Sequence, residues 1–248
     1  MSDWILSASA GFVAGIANAI AGGGSFITFP ALVFLGVPSV IANASSTVAL
    51  FPGSLASSWA YRRELAAFGA VRLSALLLVS VIGGALGALL LLKTPSTGFD
   101  RIVPWLLLLA TAALAGGRQA GAALRRRMRL GKTPVLLMQF LLAIYGGYFG
   151  GAVGLMMMAV WGLLTEVDLK ALNPAKTLLV AATNAVAVLS FAVAGIVRWP
   201  ETLAMLAAAL VGGYAGALAG RRLPAGLVRG VVVVTTATMT LLFFWRAA

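Results

Sequence analysis

Two glycine-rich breaks, each surrounded by small polar residues, are the places in this sequence where chemistry is most readily expected. The first break is AGGGS at positions 21–25, and the second is GGYFGGAVG at positions 146–154. Glycine weakens a helix and permits sharp turns, so we expect a helix to stop and restart at each break. The restarted helix presents unpaired N–H groups and about half a positive charge at its N-terminus. The chemistry expected is therefore the binding of a small anion.

The polar side chains near the breaks complete the candidate binding site. Lys176 provides a counter-charge for an anion, and its alternative role is that of an anchor extending to the membrane interface. For Asn43 a helix-capping role is favoured over ligand contact, because asparagine commonly caps helices. The full set of predicted substrate-binding residues is Asn18, Gly22, Gly23, Gly24, Ser25, Asn43, Ser46, Thr47, Gly151, Gly154, Lys176, Thr177 and Asn184.

The residue types that are missing exclude most other chemistry. The chain has no cysteine and no histidine, which excludes disulfides, thiolate metal sites and Ser-His or Cys-His catalysis. No metal and no cofactor are expected. The six acidic residues are all expected in loops or termini, so no carboxylate is available for a proton relay within a span. The sequence has no GxxxxGK[ST] loop, so the chain is not itself an ATP-driven pump.

The elements that must position these residues are membrane-spanning helices. The chain has 248 residues, of which 61% are hydrophobic and 10% charged, against about 25% charged in a typical soluble domain. Apolar segments are predicted at 4–21, 25–36, 41–61, 71–92, 102–117, 134–149, 151–164, 177–196, 202–220 and 228–245. The two segments that follow the breaks would reach only about 18–21 Å as helices, less than a hydrocarbon core of about 30 Å. The two helical pieces on either side of each break therefore form either a re-entrant hairpin or two full membrane crossings.

Basic residues set the predicted orientation. They cluster at positions 62–72, 118–132 and 221–229, and short basic loops mark the cytoplasmic side of a membrane. The predicted location is the inner membrane of a bacterium. With the basic loops on the cytoplasmic side, both termini lie on the outer side of this membrane. The basic loops also account for the net charge of +12 without nucleic acid as a partner. The predicted partners are a small anion and the lipid bilayer, and a homo-oligomer is left open.

The two halves of the chain repeat each other. Asn43 and Thr47 recur as Asn and Thr 130 residues later, and VIGGALGAL at 81–89 recurs as LVGGYAGAL at 210–218. Because each half contains an odd number of spans, the second half must be inverted, as in many secondary transporters. The predicted fold is an all-α integral membrane protein of two inverted-topology repeats, each starting with a glycine-broken helix pair. The predicted division is a first repeat at 1–117, a basic cytoplasmic linker at 118–133 and a second repeat at 134–248.

The residues of both halves resemble the sulfite exporter TauE/SafE family. The match lies in GFVAGIANAIAGGGSFITFPALVFLGVPSVIANASSTVALFPGS of the first half and in YGGYFGGAVGLMMM and LNPAKTLLVAATNAV of the second. The resemblance covers nearly the whole chain and implies a transporter that exports sulfite or organosulfonates such as sulfoacetate. It also implicates the break at Gly22–Ser25 and the helix starts at Asn43–Thr47 and Asn173–Thr177. One departure is Val160, which stands where the first half has Pro30, so the two half-sites are not expected to be identical.

Three other functions stay open on the sequence. The main alternative is a cation-coupled importer of another small anionic metabolite, such as a carboxylate. A membrane enzyme would need a pair such as Ser25 and Lys176, which nothing in the sequence brings together, so we expect a transporter and not an enzyme. A membrane subunit without transport activity would depend on a partner protein.

Overall fold

The fold is seen in a computed structural model, which describes residues 2–21, 23–65, 71–125, 132–151, 153–164, 169–220 and 225–247. These residues form helices and no β-strand, so the prediction of an all-α protein is confirmed. The helices are α1 (Ser2–Ala21), α2 (Ser25–Phe34), α3 (Ser39–Ala60), α4 (Leu73–Lys93), α5 (Ser96–Arg125), α6 (Lys132–Tyr148), α7 (Val153–Leu164), α8 (Leu169–Val193), α9 (Trp199–Gly220) and α10 (Ala225–Ala247).

Several helices extend beyond the apolar segments that predicted them. Asp100 lies in α5 and Glu201 lies in the first turn of α9, so the prediction that all acidic residues lie in loops or termini is wrong for these two. Hydropathy does not detect a polar helix start, although the N-terminal dipole of α9 stabilises the Glu201 carboxylate in its first turn. Glu64 does lie in a loop, and Glu166 and Asp168 lie outside the described residues.

The long helix α5 enters the predicted basic linker. It has 30 residues, or about 45 Å of helix, which exceeds a hydrocarbon core of about 30 Å. It ends at Arg125, and α6 begins at Lys132. Helix therefore occupies both ends of the segment 118–133, and the division of the chain into two repeats stays a prediction.

The most extensive helix packing joins the first half of the chain to the second. α1 packs along α9, and α6 packs along α4. A Cβ atom on Gly216 of α9 would lie 2.7 Å from Ile16 Cα in α1, and one on Gly83 of α4 would lie 2.8 Å from the Phe140 carbonyl oxygen in α6. Any side chain at these positions would force the helices apart. The glycines that recur in VIGGALGAL at 81–89 and LVGGYAGAL at 210–218 therefore permit close helix approach.

Two short helices follow the glycine-rich breaks. α2 has 10 residues and α7 has 12, which corresponds to about 15 and 18 Å of helix. α2 packs against α1 and α3, whereas α7 packs against α5, α6 and α8. In the second break Gly150 has a φ of +73°, a left-handed conformation that favours glycine. The breaks thus place two helix starts beside the pair formed by α3 and α8.

A buried polar network fixes α7 against α4 and α6. Gln139 Nε2 donates to Ser80 Oγ at 2.8 Å, and Trp161 Nε1 donates to Gln139 Oε1 at 3.1 Å. All three side chains are fully buried. Trp161 is therefore a core residue held by a hydrogen bond.

Large apolar side chains cover the outer surface of the helices. Val193 is 81% exposed and Trp245 is 82% exposed, and apolar surfaces of this extent are rare in soluble monomers. Among the described residues, two helical stretches are long and apolar enough to cross a membrane, Leu73–Lys93 and Leu172–Val193. The exposed apolar side chains are those expected of a protein whose outer surface contacts lipid.

Candidate functional site

A cavity of about 130 Å³ lies between the two breaks and the facing helices α3 and α8. The predicted site residues in its wall are Asn18, Ser25, Thr47, Gly154, Lys176, Thr177 and Asn184. The remaining wall residues are Leu50, Ser54, Ser57, Gly150, Val153 and Val180. Pockets for drug-sized ligands usually have about 300–1,000 Å³, so this cavity suits a ligand of only a few non-hydrogen atoms.

The starts of both short helices face this cavity. Ser25 is the first residue of α2, and Val153 and Gly154 are the first two residues of α7. In α2 the N–H groups of Phe26 and Ile27 donate to the carbonyl oxygens of Gly23 and Gly24. The partial positive charge at this end therefore comes from the aligned peptide dipoles of the helix and not from unpaired N–H groups. The two breaks therefore contribute positive potential to the same small volume from opposite halves of the chain.

Lys176 is the cationic side chain in the cavity wall. It is half-buried on α8, and its stem covers the first turn of α7, since a Cβ atom on Gly154 would lie 3.5 Å from Lys176 Cδ. In the part of the chain that the structure describes, the only ion pair joins Arg198 to Glu201. Lys176 thus has no carboxylate partner there and can balance the charge of an anion.

Two threonines in the cavity wall give their hydroxyl protons to the backbone. Thr47 Oγ1 donates to the Asn43 carbonyl oxygen at 2.9 Å, and Thr177 Oγ1 donates to the Pro174 carbonyl oxygen at 2.9 Å. A threonine hydroxyl has a single proton. In this arrangement each threonine retains only acceptor lone pairs for a ligand.

Asn184 contributes a polar side chain to the wall. Its side chain is 9% exposed, and among the described residues its Oδ1 atom has no hydrogen-bond partner. Buried polar atoms in proteins are almost always paired. This oxygen has almost no accessible surface, so Asn184 contacts the cavity through the rest of its side chain.

Asn43 does not cap the N-terminus of its own helix, so the predicted capping role is wrong there. The N-cap residue of α3 is Pro38, and Asn43 lies in the second turn of the helix. Its Nδ2 atom donates to the carbonyl oxygen of Tyr148 at 2.9 Å. Tyr148 is the last residue of α6, and helix-end carbonyls need such donors. Asn43 thus fixes α3 against the second break and lies outside the cavity wall.

Ser46 also lies outside the cavity wall. Its hydroxyl is 2.6 Å from the hydroxyl of Thr28, and both residues are buried. This hydrogen bond ties the short helix α2 to α3. The position that aligns with Ser46 in the second half is Lys176, which does line the cavity, so the two half-sites differ as expected.

The glycines of the breaks are mostly buried behind the wall. Gly23, Gly24 and Gly151 are buried and do not line the cavity. A Cβ atom on Gly24 would lie 2.7 Å from the carbonyl oxygen of Ala14, so the first break folds tightly onto α1. Gly22 lies outside the described residues. These buried glycines determine the backbone path at the breaks, while neighbouring residues such as Ser25 and Gly154 line the cavity.

The sequence did not predict the hydroxyl face of α3. Ser54 and Ser57 line the cavity together with Thr47 and Leu50. The four positions follow the i, i+3, i+7, i+10 pattern of one helix face. The internal repeat also carries a signal, because Ser54 lies 130 residues before Asn184. Either pattern could have found this face.

Ser25 and Lys176 line the same cavity, a proximity that nothing in the sequence predicts. Neither side chain has a hydrogen bond to the other in the described residues. An activated nucleophile requires a hydrogen bond to its base. The geometry therefore fits two parts of a binding surface better than a catalytic pair.

Comparison with known proteins identifies the family. The family model described as sulfite exporter TauE/SafE matches residues 7–243. A probable membrane transporter protein of Haemophilus influenzae is 29% identical over 93% of this chain and 90% of its own length. The probable membrane transporter protein YfcA of Escherichia coli K12 is 27% identical over 92% of this chain and 84% of its own.

A third relative covers less of the chain. The probable membrane transporter protein ORF9 of a Sinorhizobium species is 32% identical over 58% of this chain and 55% of its own length. No solved structure matches the chain. The family model spans both breaks and the cavity between them. With its sequence matched almost end to end, this chain belongs to the sulfite exporter TauE/SafE family.

Proposed function

We propose that this chain carries small anions across the membrane and binds them in the cavity between α2, α3, α7 and α8. The observation that carries the proposal is that Ser25, Gly154 and Lys176 line one cavity. Two helix starts and a lysine without a carboxylate partner in the described residues supply positive potential to this cavity. Acidic side chains are absent from the described wall, so nothing there opposes a bound anion.

Family membership makes the chain a membrane transporter, in agreement with its lipid-suited surface. The family description favours sulfite, and related sulfonates such as sulfoacetate share its anionic oxygens. Export is favoured by the membrane potential, because moving one negative charge out of a cell gains about 2.3 kcal/mol per 100 mV. The proposed cargo is therefore a small sulfur-containing anion that leaves the cell.

The proposed architecture is a pair of inverted repeats, at 1–117 and 134–248, in a bacterial inner membrane with both termini outside. Reciprocal packing supports it, since α1 of the first half contacts α9 while α6, its counterpart in the second half, contacts α4. Corresponding positions of both halves also line the cavity, such as Thr47 with Thr177 and Ser54 with Asn184. In transporters with inverted repeats, the substrate site lies where the repeats meet.

The proposal is tested by binding of anions to the purified protein. A ligand that binds only the folded state raises the melting temperature by mass action. We expect sulfite, thiosulfate or sulfoacetate to raise it, and Lys176→Met to abolish the increase. The matched control is Lys93→Met, because Lys93 is exposed in the last turn of α4. An equal loss in both variants, or a response to carboxylates alone, would contradict the proposal.

Transport itself is measured in vesicles that contain the protein. We expect anion efflux that increases with an inside-negative potential and is lost in Lys176→Met. Anion uptake that requires a sodium gradient in the same direction would indicate a coupled importer instead.

A further inference from the structure

We propose that the cavity opens toward the loop between α3 and α4, and that a hydrogen bond between Asn43 and Tyr148, here called the gate, closes its other end. The proposal rests on the proposed function for the identity of the anion that enters. It goes further by assigning an entrance and a gate to particular residues. Two features of the structure carry it, the exposure of the cavity wall and the contacts immediately beyond that wall.

Exposure along α3 shows which end of the cavity is open. The wall contains, in order along this helix, Thr47, Leu50, Ser54 and Ser57. Thr47 is 9% exposed, Ser54 is half-buried and Ser57 is exposed. Residues 42–46, which precede the wall, are all buried. In the part of the chain that the structure describes, water therefore reaches the wall from the end of α3 and not from its start.

Helix α8 shows the same gradient in the opposite chain direction. Shortly after α8 ends, the N–H group of Arg198 donates to Ser45 near the start of α3, so the two helices run antiparallel. Along α8, Lys176 is half-buried, Asn184 is 9% exposed and Ala187 is fully buried. The more exposed end of the wall on α8 thus lies on the same side as the exposed end of the wall on α3.

Asn43 lies at the closed end of the cavity face of α3. It precedes Thr47 by four residues, and residues four apart share a helix face, so it is the next position on this face beyond the wall. Its Nδ2 atom donates to the carbonyl oxygen of Tyr148 at 2.9 Å. Tyr148 comes two residues before Gly150, which lines the cavity. The gate therefore joins α3 to the second break immediately beyond the wall.

Aromatic side chains pack around the gate. The ring of Tyr148 lies 5.6 Å from that of Phe99, and Phe99 lies 6.4 Å from Phe149, measured between ring centroids. Phe29 contacts Phe99 and Phe149 at 6.2 and 5.9 Å. The three phenylalanines are buried and do not line the cavity. An anion is strongly disfavoured in such apolar surroundings, so this layer blocks its passage while the gate is formed.

The open end lies on the side that carries positive charge. Arg62 and Arg63 are exposed in the turn that follows α3, and short basic loops mark the cytoplasmic side of a membrane. Basic side chains near an entrance also raise the local concentration of anions. The structure thus has the form that loads an anion from the predicted cytoplasmic side. Separation of Asn43 from Tyr148 would open the path to the opposite side.

The test measures from which side of the membrane a reagent reaches Ser54. The chain has no cysteine, so Ser54→Cys supplies a single thiol. It is labelled with 2-sulfonatoethyl methanethiosulfonate, a membrane-impermeant anion, in right-side-out and in inverted membrane vesicles. Arg63→Cys and Ala194→Cys mark the two sides, because they lie in exposed turns after α3 and after α8. We expect Ser54→Cys to react at least about tenfold faster from the Arg63 side, since a minor conformation is populated at about 10% or less.

Two substitutions of Asn43 test the gate in the Ser54→Cys protein. Asn43→Ala removes the side-chain amide, and Asn43→Asp keeps its shape but removes the donor. Each should raise the labelling rate from the Ala194 side about fivefold, the effect of one hydrogen bond on an equilibrium. Retained labelling from the Arg63 side shows that the variants are folded.

The matched control is Ser45→Ala, two residues further along α3. It removes a hydrogen bond of the same length, 2.9 Å, which also joins α3 to another segment. Two residues correspond to about 200° around a helix, so Ser45 lies away from the cavity face that Asn43 shares. We expect this substitution to leave the sidedness of labelling unchanged.

The outcomes for Ser54→Cys and the gate variants are distinct. Equal labelling of Ser54→Cys from both sides, or faster labelling from the Ala194 side, overturns the assigned entrance. Unchanged sidedness in both Asn43 variants, or an equal increase in Ser45→Ala, overturns the assigned gate.

Protection by a ligand separates this inference from the function on which it rests. Sulfoacetate should slow the labelling of Ser54→Cys from the Arg63 side, and Lys176→Met should abolish that protection. If labelling stays one-sided but sulfoacetate does not slow it, the proposed anion site fails while the entrance stands. If sulfoacetate protects but labelling is equal from both sides, the anion site stands and the entrance fails.

Discussion

Replacing Gly216 with alanine tests whether α1 and α9 are in backbone contact. The added Cβ atom would lie 2.7 Å from Ile16 Cα and 3.0 Å from the Ile16 carbonyl oxygen, whereas carbon atoms in contact prefer about 3.5–4.0 Å. Backbone atoms cannot rotate out of the way, so the two helices must move apart. Overpacking of this kind costs about 1–3 kcal/mol.

The matched control is Gly213→Ala, three residues earlier in the same helix. Its Cβ atom would lie 3.8 Å from the carbonyl oxygen of Gly15, which is an ordinary contact. Both variants gain the same helix propensity, about 1 kcal/mol, so the difference between them isolates the clash.

The assay is thermal unfolding of both variants in the same detergent. At roughly 2–4 °C per kcal/mol for a chain of this size, Gly216→Ala should melt about 2–12 °C below Gly213→Ala. The control should melt at or above the temperature of the unaltered protein. Equal melting temperatures for the two variants would refute the close approach of α1 and α9.

Three further outcomes follow from the described contacts. Gly150→Ala should lower anion affinity, measured by ligand-dependent melting. The φ of +73° at this position costs an L-residue about 1–2 kcal/mol, and the added Cβ atom would lie 3.0 Å from Thr47 Oγ1 in the cavity wall. Unchanged affinity would contradict this prediction. Gln139→Leu should lower the free energy of unfolding by about 1–3 kcal/mol through two lost hydrogen bonds, whereas an unaltered denaturation midpoint would count against the network. Glu201→Gln should change that free energy by less than about 1 kcal/mol, since the Arg198 side chain of the pair is 57% exposed, and a larger loss would show an unrecognised role for the carboxylate.

Much of the fold follows from the sequence because hydropathy and glycine act locally. The apolar segments correspond to helices that start or end within a few residues of the predicted bounds. The deviations occur where polar residues continue a helix, as at Asp100 and at the end of α5. Helix formation there is favoured by backbone hydrogen bonds and dipole effects, which a hydropathy pattern does not detect.

The site was predicted less completely, because side-chain direction depends on tertiary packing. Thr47 and Ser46 are adjacent in sequence, yet Thr47 lines the cavity while Ser46 turns away to bond Thr28. A difference of 100° around a helix separates such neighbours, and only the positions of α2 and α8 decide which face is which. Asn43 shows the same limit, since its partner, Tyr148, is 105 residues away.

The packing of α1 on α9 and of α4 on α6 has a consequence for the order of synthesis. The ribosome completes α1 and α4 before either partner helix exists, so their glycine faces first meet lipid or each other. The helix packing of the N-terminal half is therefore incomplete until α6 and α9 are inserted into the membrane. The two halves, expressed as separate polypeptides, should accumulate only when both are present in the same membrane.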